Sequence, residues 1–145
     1  MTAGKFLVRW VVAFVAVNAF GFVGHGWLLK SDYLSLAQVH PGIMRTEADQ
    51  QTHFMWMLLA FAVLSAGMVW MYAKGNTGQP WVGQGIRFGI AVWLVAGVFN
   101  YLVYFAVQPW TPEVIAKQIG WDFVAFVLTA LIIAALSSKD APQAR

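Results

Sequence analysis

The chain has 145 residues, of which 60% are hydrophobic and only 10% are charged, and its formal net charge is +3. A soluble globular domain carries about 25% charged residues, so this composition indicates a chain that meets lipid over most of its surface. The basic residues are scattered singly, which excludes a nucleic-acid interface. The lack of cysteine excludes disulfides, thiolate metal sites and cysteine nucleophiles.

Four apolar segments predict an all-α membrane protein with four transmembrane helices in an up-and-down antiparallel bundle. The predicted spans are residues 7–29, 54–73, 86–107 and 114–136. Each can cross a hydrocarbon core of about 30 Å at about 1.5 Å per residue. We therefore expect a single four-helix transmembrane domain over residues 1–137 and a polar C-terminal tail over residues 138–145.

The three connections between the spans differ in character. Residues 30–52 are polar, residues 74–85 are glycine-rich and predict turns, and residues 108–113 contain two prolines. In the third connection Thr111 is a predicted helix N-cap, because Pro112 would then occupy the first helical position, which proline favours.

The distribution of basic residues predicts the orientation. Six of the nine Lys and Arg residues fall on the side of both termini and the middle connection, and three on the other. Basic residues favour the cytoplasmic side, so we expect both termini in the cytoplasm, and the size and topology are typical of bacterial inner-membrane proteins. The first group is Lys5, Arg9, Lys74, Arg87, Lys139 and Arg145; the second is Lys30, Arg45 and Lys117.

Three polar residues are predicted at one depth on three different helices. Counted from the cytoplasmic basic residue of each span, His25, Tyr104 and Asp122 all lie about 25 Å into the bilayer. The apolar run after Asp122 is too short to span, so this carboxyl must lie at membrane depth, where it needs a partner. Two placements remain open: a pair with His25 inside the bundle, or an outward position beside Lys117.

These residues suggest a hypothetical ligand site and a set of packing contacts. The site would comprise His25, Tyr104 and Asp122, with His53 and Arg45 added from the first connection. Asn18, Ser65, Asn100 and Thr129 are expected to hydrogen-bond between helices, and glycines such as Gly85 and Gly89 to allow close helix approach. No paired ligand spacing predicts a metal or haem site, and we expect no cofactor.

The sequence carries no phosphate-binding loop, serine elbow or pair of membrane carboxylates, so no enzyme class is indicated. We expect a non-catalytic membrane module, either an accessory subunit or a homo-oligomer. The alternative is a binder or transporter of a lipophilic small molecule, such as a quinone or lipid, through the polar site. The expected partners are the lipid bilayer, a second copy or a larger membrane complex, and that small molecule.

Overall fold

The computed structural model describes residues 1–138, and the predicted tail from residue 139 onward lies outside this part. Within it the chain forms five helices. Four of them are long and apolar enough to cross a membrane, which confirms the predicted fold class. The helices are α1 (Ala3–Leu28), α2 (Lys30–Val39), α3 (Glu47–Gly75), α4 (Trp81–Val107) and α5 (Pro112–Ser137), of which α2 is the short one.

The predicted start of the last helix is confirmed. Thr111 is the N-cap of α5 and its hydroxyl accepts a hydrogen bond from the backbone N–H of Val114 at 3.4 Å, while Pro112 begins the helix. The start of α3 follows the same logic, because the Thr46 hydroxyl accepts from the backbone N–H of Asp49 at 3.3 Å. Both caps satisfy a donor that the first turn leaves free.

The closest helix pair is α4 with α5, and two glycines make this approach possible. A Cβ atom on Gly89 would lie 2.7 Å from the Cα atom of Val127, and one on Gly85 would lie 3.0 Å from the Cβ atom of Ala134. Helix α1 packs against both α3 and α5. Near its start, the buried Arg9 guanidinium donates to the carbonyl oxygen of Leu136 at 3.0 Å, which joins the beginning of α1 to the end of α5.

The main apolar cluster lies in one half of the bundle. We call this half the terminal end, because α1 begins and α5 finishes there, and the opposite half the α2 end. All four long helices contribute to the core, which contains Ala13, Met68, Val69, Tyr72, Val92, Phe126, Ala130, Ile133 and Ala134. Since the core thins out toward the α2 end, that half is free to hold polar side chains.

The first connection is more structured than its composition suggests. Residues 30–39 form α2 rather than an irregular loop, and a turn with Gly42 at φ +88° follows. Leu29, Tyr33 and Leu36 recur at helical spacing, and burial of Leu29 and Leu36 holds α2 against the bundle. This helix forms a cap over the α2 end.

Candidate functional site

The centre of the site is an imidazole held between a carboxyl group and two phenols. His25 Nε2 lies 3.1 Å from Asp122 Oδ1, and the Tyr101 hydroxyl donates to Asp122 Oδ2 at 2.8 Å. These residues come from α1, α5 and α4, so the cluster joins three of the four long helices. The structure therefore adopts the inward placement of Asp122 and not the outward one.

A second pair of residues extends this cluster toward α2. His25 Nδ1 is in hydrogen-bond contact with the Tyr33 hydroxyl, and Gln118 Nε2 donates to the same hydroxyl oxygen at 3.0 Å. Burial raises the pKa of Tyr33 to about 12, so this hydroxyl keeps its proton at neutral pH. The result is a continuous chain of hydrogen bonds that runs Gln118, Tyr33, His25, Asp122 and Tyr101.

Two proton arrangements satisfy this chain. In the first, the His25 imidazole is neutral: Gln118 donates to Tyr33, Tyr33 donates to His25 Nδ1, and the Nε2–H of His25 donates to Asp122. In the second, the imidazole is protonated: His25 donates from both nitrogens, and Tyr33 donates to the Gln118 amide oxygen after an amide flip that exchanges the positions of Oε1 and Nε2. The buried Gln118 Oε1 has no partner in the first arrangement and gains one in the second. Each arrangement leaves the chain of hydrogen bonds from Gln118 to Asp122 unbroken.

A π-helical segment positions His25. The last part of α1, Phe22–Leu28, has π-helical hydrogen bonding, which widens the helix and often marks functional sites. Within it Gly24 packs directly on the indole of Trp121, since a Cβ atom there would lie 1.9 Å from Trp121 Nε1. That nitrogen donates to the carbonyl oxygen of Phe20 at 3.0 Å, so α5 and α1 are fixed together beside His25.

A cavity of about 260 Å³ lies beside the cluster. The polar members of its wall are His25, Tyr101, Asp122 and Thr129, and most of the remaining wall is apolar. The side chains of His25 and Asp122 are 30% and 16% exposed, so both can be reached from this space. Apolar walls with a few convergent polar groups are typical of small-molecule sites.

The structure places Tyr101, and not Tyr104, against Asp122. The Tyr104 side chain is 44% exposed and touches the cluster only through the ring of Tyr101, at 6.5 Å between centroids. The depth count found the correct level of α4 but not the residue that packing turns toward Asp122; α4 also contains a second π-helical segment, Trp93–Val98. The shift from residue 104 to residue 101 is about one helical turn.

Neither His53 nor Arg45 makes a hydrogen bond or ion pair with His25 or Asp122. They instead form a separate group with Asp49, whose carboxylate lies 2.8 Å from Arg45 and 3.2 Å from His53. Lys117, the outward partner considered for Asp122, binds the carboxylates of Asp32 and Glu113 at 2.7 and 2.8 Å. Within the described residues Asp122 thus has no lysine or arginine within ion-pair distance, and His25 is its basic partner.

The residues expected to hydrogen-bond between helices make different contacts. Asn18 donates to the carbonyl oxygen of Phe14, Ser65 to those of Phe61 and Ala62, and Asn100 to that of Ala96, all within the same helix. Such bonds satisfy a polar side chain in lipid without a neighbouring helix. Thr129 differs, because its fully buried hydroxyl has no hydrogen-bond partner among the described residues.

The sequence prediction did not include three members of the cluster, although the position of each in the sequence gives an indication of its role. Tyr33 shares a helical face with Leu29 and Leu36 in a segment interpreted as a loop. Gln118 lies four residues before Asp122 and therefore on the same face of α5. Tyr101 lies one turn from Tyr104.

Among residues 1–138 no group of three His, Cys, Asp or Glu side chains is placed to hold a metal ion. Comparison with protein-family models, with curated proteins and with solved structures finds no match to this chain. The site therefore has to be interpreted from its own geometry.

Proposed function

We propose that this chain binds a lipophilic small molecule whose polar head occupies the cavity beside Asp122. The observation that carries this proposal is the carboxyl group of Asp122, which lies within a transmembrane helix, is paired with His25 and still faces an apolar cavity. A carboxyl at membrane depth is costly and is retained where it serves a site. Of the two functions expected from the sequence, this geometry favours the small-molecule binder.

The size of the cavity limits what its head group can be. A cavity of about 150 Å³ holds benzene. The 260 Å³ here is large enough for one ring with several small substituents. It is too small for a whole lipid, so any long tail has to lie outside the cavity.

The low burial of α3 and α4 at the α2 end supports entry from the lipid. The buried residues of α3 all lie in its terminal-end half, from Ser65 to Tyr72, and the last part of α4, Phe99–Val107, contains no fully buried residue. Phe61 of α3 and Tyr101 of α4 both line the cavity. A tail that leaves between them would lie directly in the hydrocarbon.

This function is compatible with a non-catalytic role in a larger complex, because a bound lipophile can serve a partner protein. The site offers acid–base groups and a binding space. If both termini are cytoplasmic, the end of the site that α2 covers lies on the non-cytoplasmic side of the membrane.

Purification followed by organic extraction tests the proposal. Wild-type protein in mild detergent should retain a lipophile at near-equal molar amount, seen by mass spectrometry of the extract, and Asp122→Leu should lose it. Tyr101→Phe should retain less than Tyr104→Phe, since only Tyr101 bonds to Asp122. Helical content and elution volume show that each variant is folded. Equal lipophile in wild type and a folded Asp122→Leu variant would exclude the proposed site.

A further inference from the structure

The hydrogen-bond donors of the cluster are already engaged with one another. The Tyr101 hydroxyl donates to Asp122 Oδ2, and the proton between His25 Nε2 and Asp122 Oδ1 is used within that pair. This holds whichever of the two residues carries the shared proton. A carboxyl group has about four lone-pair positions, so acceptor positions remain on Asp122 when both bonds are made.

The hydrogen-bonding position that remains free on Asp122 is therefore an acceptor position, and it matches a ligand that donates a hydrogen bond. A hydroxyl group on the ligand would complete the carboxyl group's hydrogen bonding. A carbonyl oxygen would place its lone pairs against those of Asp122 and leave both groups without a proton. Discrimination of this kind is strong where buried polar groups are left unpaired.

The other end of the cavity holds a second unsatisfied group. Thr129 lies seven residues after Asp122 on α5, so both side chains lie on the same helix face, about 10 Å apart along the axis. Thr129 lines the cavity and its hydroxyl has no partner in the described residues. A hydroxyl both donates and accepts. The Thr129 side chain is fully buried in the structure, so its hydroxyl meets a ligand by rotation about the Cα–Cβ bond, for which threonine in a helix has two favoured rotamers.

We infer, on the basis of the proposed function, that the ligand head is a para-dioxygenated ring in its hydroquinone form. One ring hydroxyl donates to Asp122, and the oxygen on the opposite side of the ring reaches Thr129. The two oxygens of such a ring lie about 5.5 Å apart, and a hydrogen bond of about 2.8 Å at each end gives about 11 Å in total. This length is close to the backbone rise of about 10 Å between Asp122 and Thr129 along α5.

Three small ring compounds test the two ends separately. Calorimetric titration of purified protein in detergent, without oxygen, compares trimethylhydroquinone, trimethyl-1,4-benzoquinone and trimethylphenol, which lacks the second oxygen. Wild type should bind the hydroquinone at least about tenfold tighter than the quinone, because only the former donates to Asp122. Asp122→Asn adds an N–H donor that suits a carbonyl, so this preference should shrink to near unity or invert.

The Thr129 end has its own matched variants. Thr129→Val keeps the shape and removes the hydroxyl, so hydroquinone affinity should fall about five- to tenfold while trimethylphenol affinity stays within twofold. Thr129→Ser should behave as wild type. Ser65→Ala is the control, because the equally buried Ser65 hydroxyl is satisfied within α3 and does not line the cavity.

If the rings bind, two results would overturn the inference. One is quinone affinity equal to or above hydroquinone affinity in wild type. The other is a Thr129→Val variant that changes hydroquinone and phenol binding equally or not at all. Absence of binding by all three rings would also overturn it. The proposed function would then still stand if an extracted lipophile is retained by wild type and lost in Asp122→Leu.

Discussion

His25 is the residue on which the site depends, because each of its ring nitrogens holds a different partner. Nε2 faces Asp122 and Nδ1 faces Tyr33, so the imidazole links α5 to the capping helix α2. Neither neighbour alone could orient the ring in this way. A partner on the second nitrogen fixes which tautomer and which ring orientation are present.

A double-mutant cycle measures whether His25 and Asp122 act as a pair. Removing one partner leaves the other buried without its hydrogen bond. The fall in melting temperature of His25→Leu and of Asp122→Leu should therefore each exceed half of the fall in the double mutant. We expect a coupling free energy of about 1 kcal/mol or more. Additive losses of the single variants, in one detergent, would show that the two residues do not interact.

The polar residues elsewhere in the spans form hydrogen bonds within their own helices. Asn18, Ser65 and Asn100 each donate to a carbonyl oxygen one turn earlier in their own helix. This needs no particular neighbour, so such residues stabilise no specific arrangement of the bundle. The cluster at His25 does, because its members come from four different helices.

At the scale of elements, the π-helical end of α1 requires a glycine at position 24. The Trp121 indole occupies the space that a side chain would take, and its N–H donates to the carbonyl oxygen of Phe20. Trp121 is the residue before Asp122, so this contact also sets the position of the carboxyl. A substitution at Gly24 would therefore disturb the site as well as the packing.

Gly24→Ala should lower the free energy of unfolding by about 1–3 kcal/mol, because the new methyl group overlaps the Trp121 ring and forces it away. Gly67→Ala is the matched control. A Cβ atom on Gly67 meets nothing within 4 Å, so alanine there should be neutral or stabilise the helix by up to about 1 kcal/mol. Thermal unfolding in one detergent compares the two, and equal losses would refute the close packing of Gly24.

Helix α2 shows why element boundaries in polar segments are hard to predict. Tyr33 and Leu36, with Leu29 just before the helix, form a weak apolar face, and only the bundle beneath provides a surface on which that face is buried. The caps at Thr46 and Thr111, by contrast, depend on residues three apart in sequence. Local signals of this kind are visible without the fold.

At the scale of the whole molecule, the core lies at the terminal end and the site at the α2 end, so the orientation of the chain decides which half of the bilayer contains the site. If both termini are cytoplasmic, as the basic residues predict, the cavity lies in the outer half of the bilayer. The Tyr33 end of the hydrogen-bond chain would then face the non-cytoplasmic side.

Labelling with an impermeant thiol reagent tests this orientation. Ser35 in α2 and Thr77 in the loop between α3 and α4 are both exposed, and the chain has no cysteine of its own. On intact cells Ser35→Cys should react and Thr77→Cys should not, and both should react after lysis. Reaction of Thr77→Cys alone on intact cells would mean that the topology is inverted.

The sequence alone determined that four segments are long and apolar enough to span a membrane and that Asp122 lies within the fourth of them. Both follow from one-dimensional quantities, namely the length of each apolar run and the rise per residue, because lipid requires every backbone group to be satisfied within its own helix. The N-cap at Thr111 was likewise predictable. The short apolar run after Asp122 was sufficient to indicate that this carboxyl needs a partner.

Only the tertiary structure decided which residues are its partners. Tyr101 rather than Tyr104 reaches Asp122, and Tyr33 reaches His25, because helix rotation and tilt come from packing at contacts such as Gly24 with Trp121 and Gly89 with Val127. The π-helical segments in α1 and α4 also break the uniform rise on which a depth count relies. These are properties of surfaces that meet in three dimensions, and no periodicity along one helix contains them.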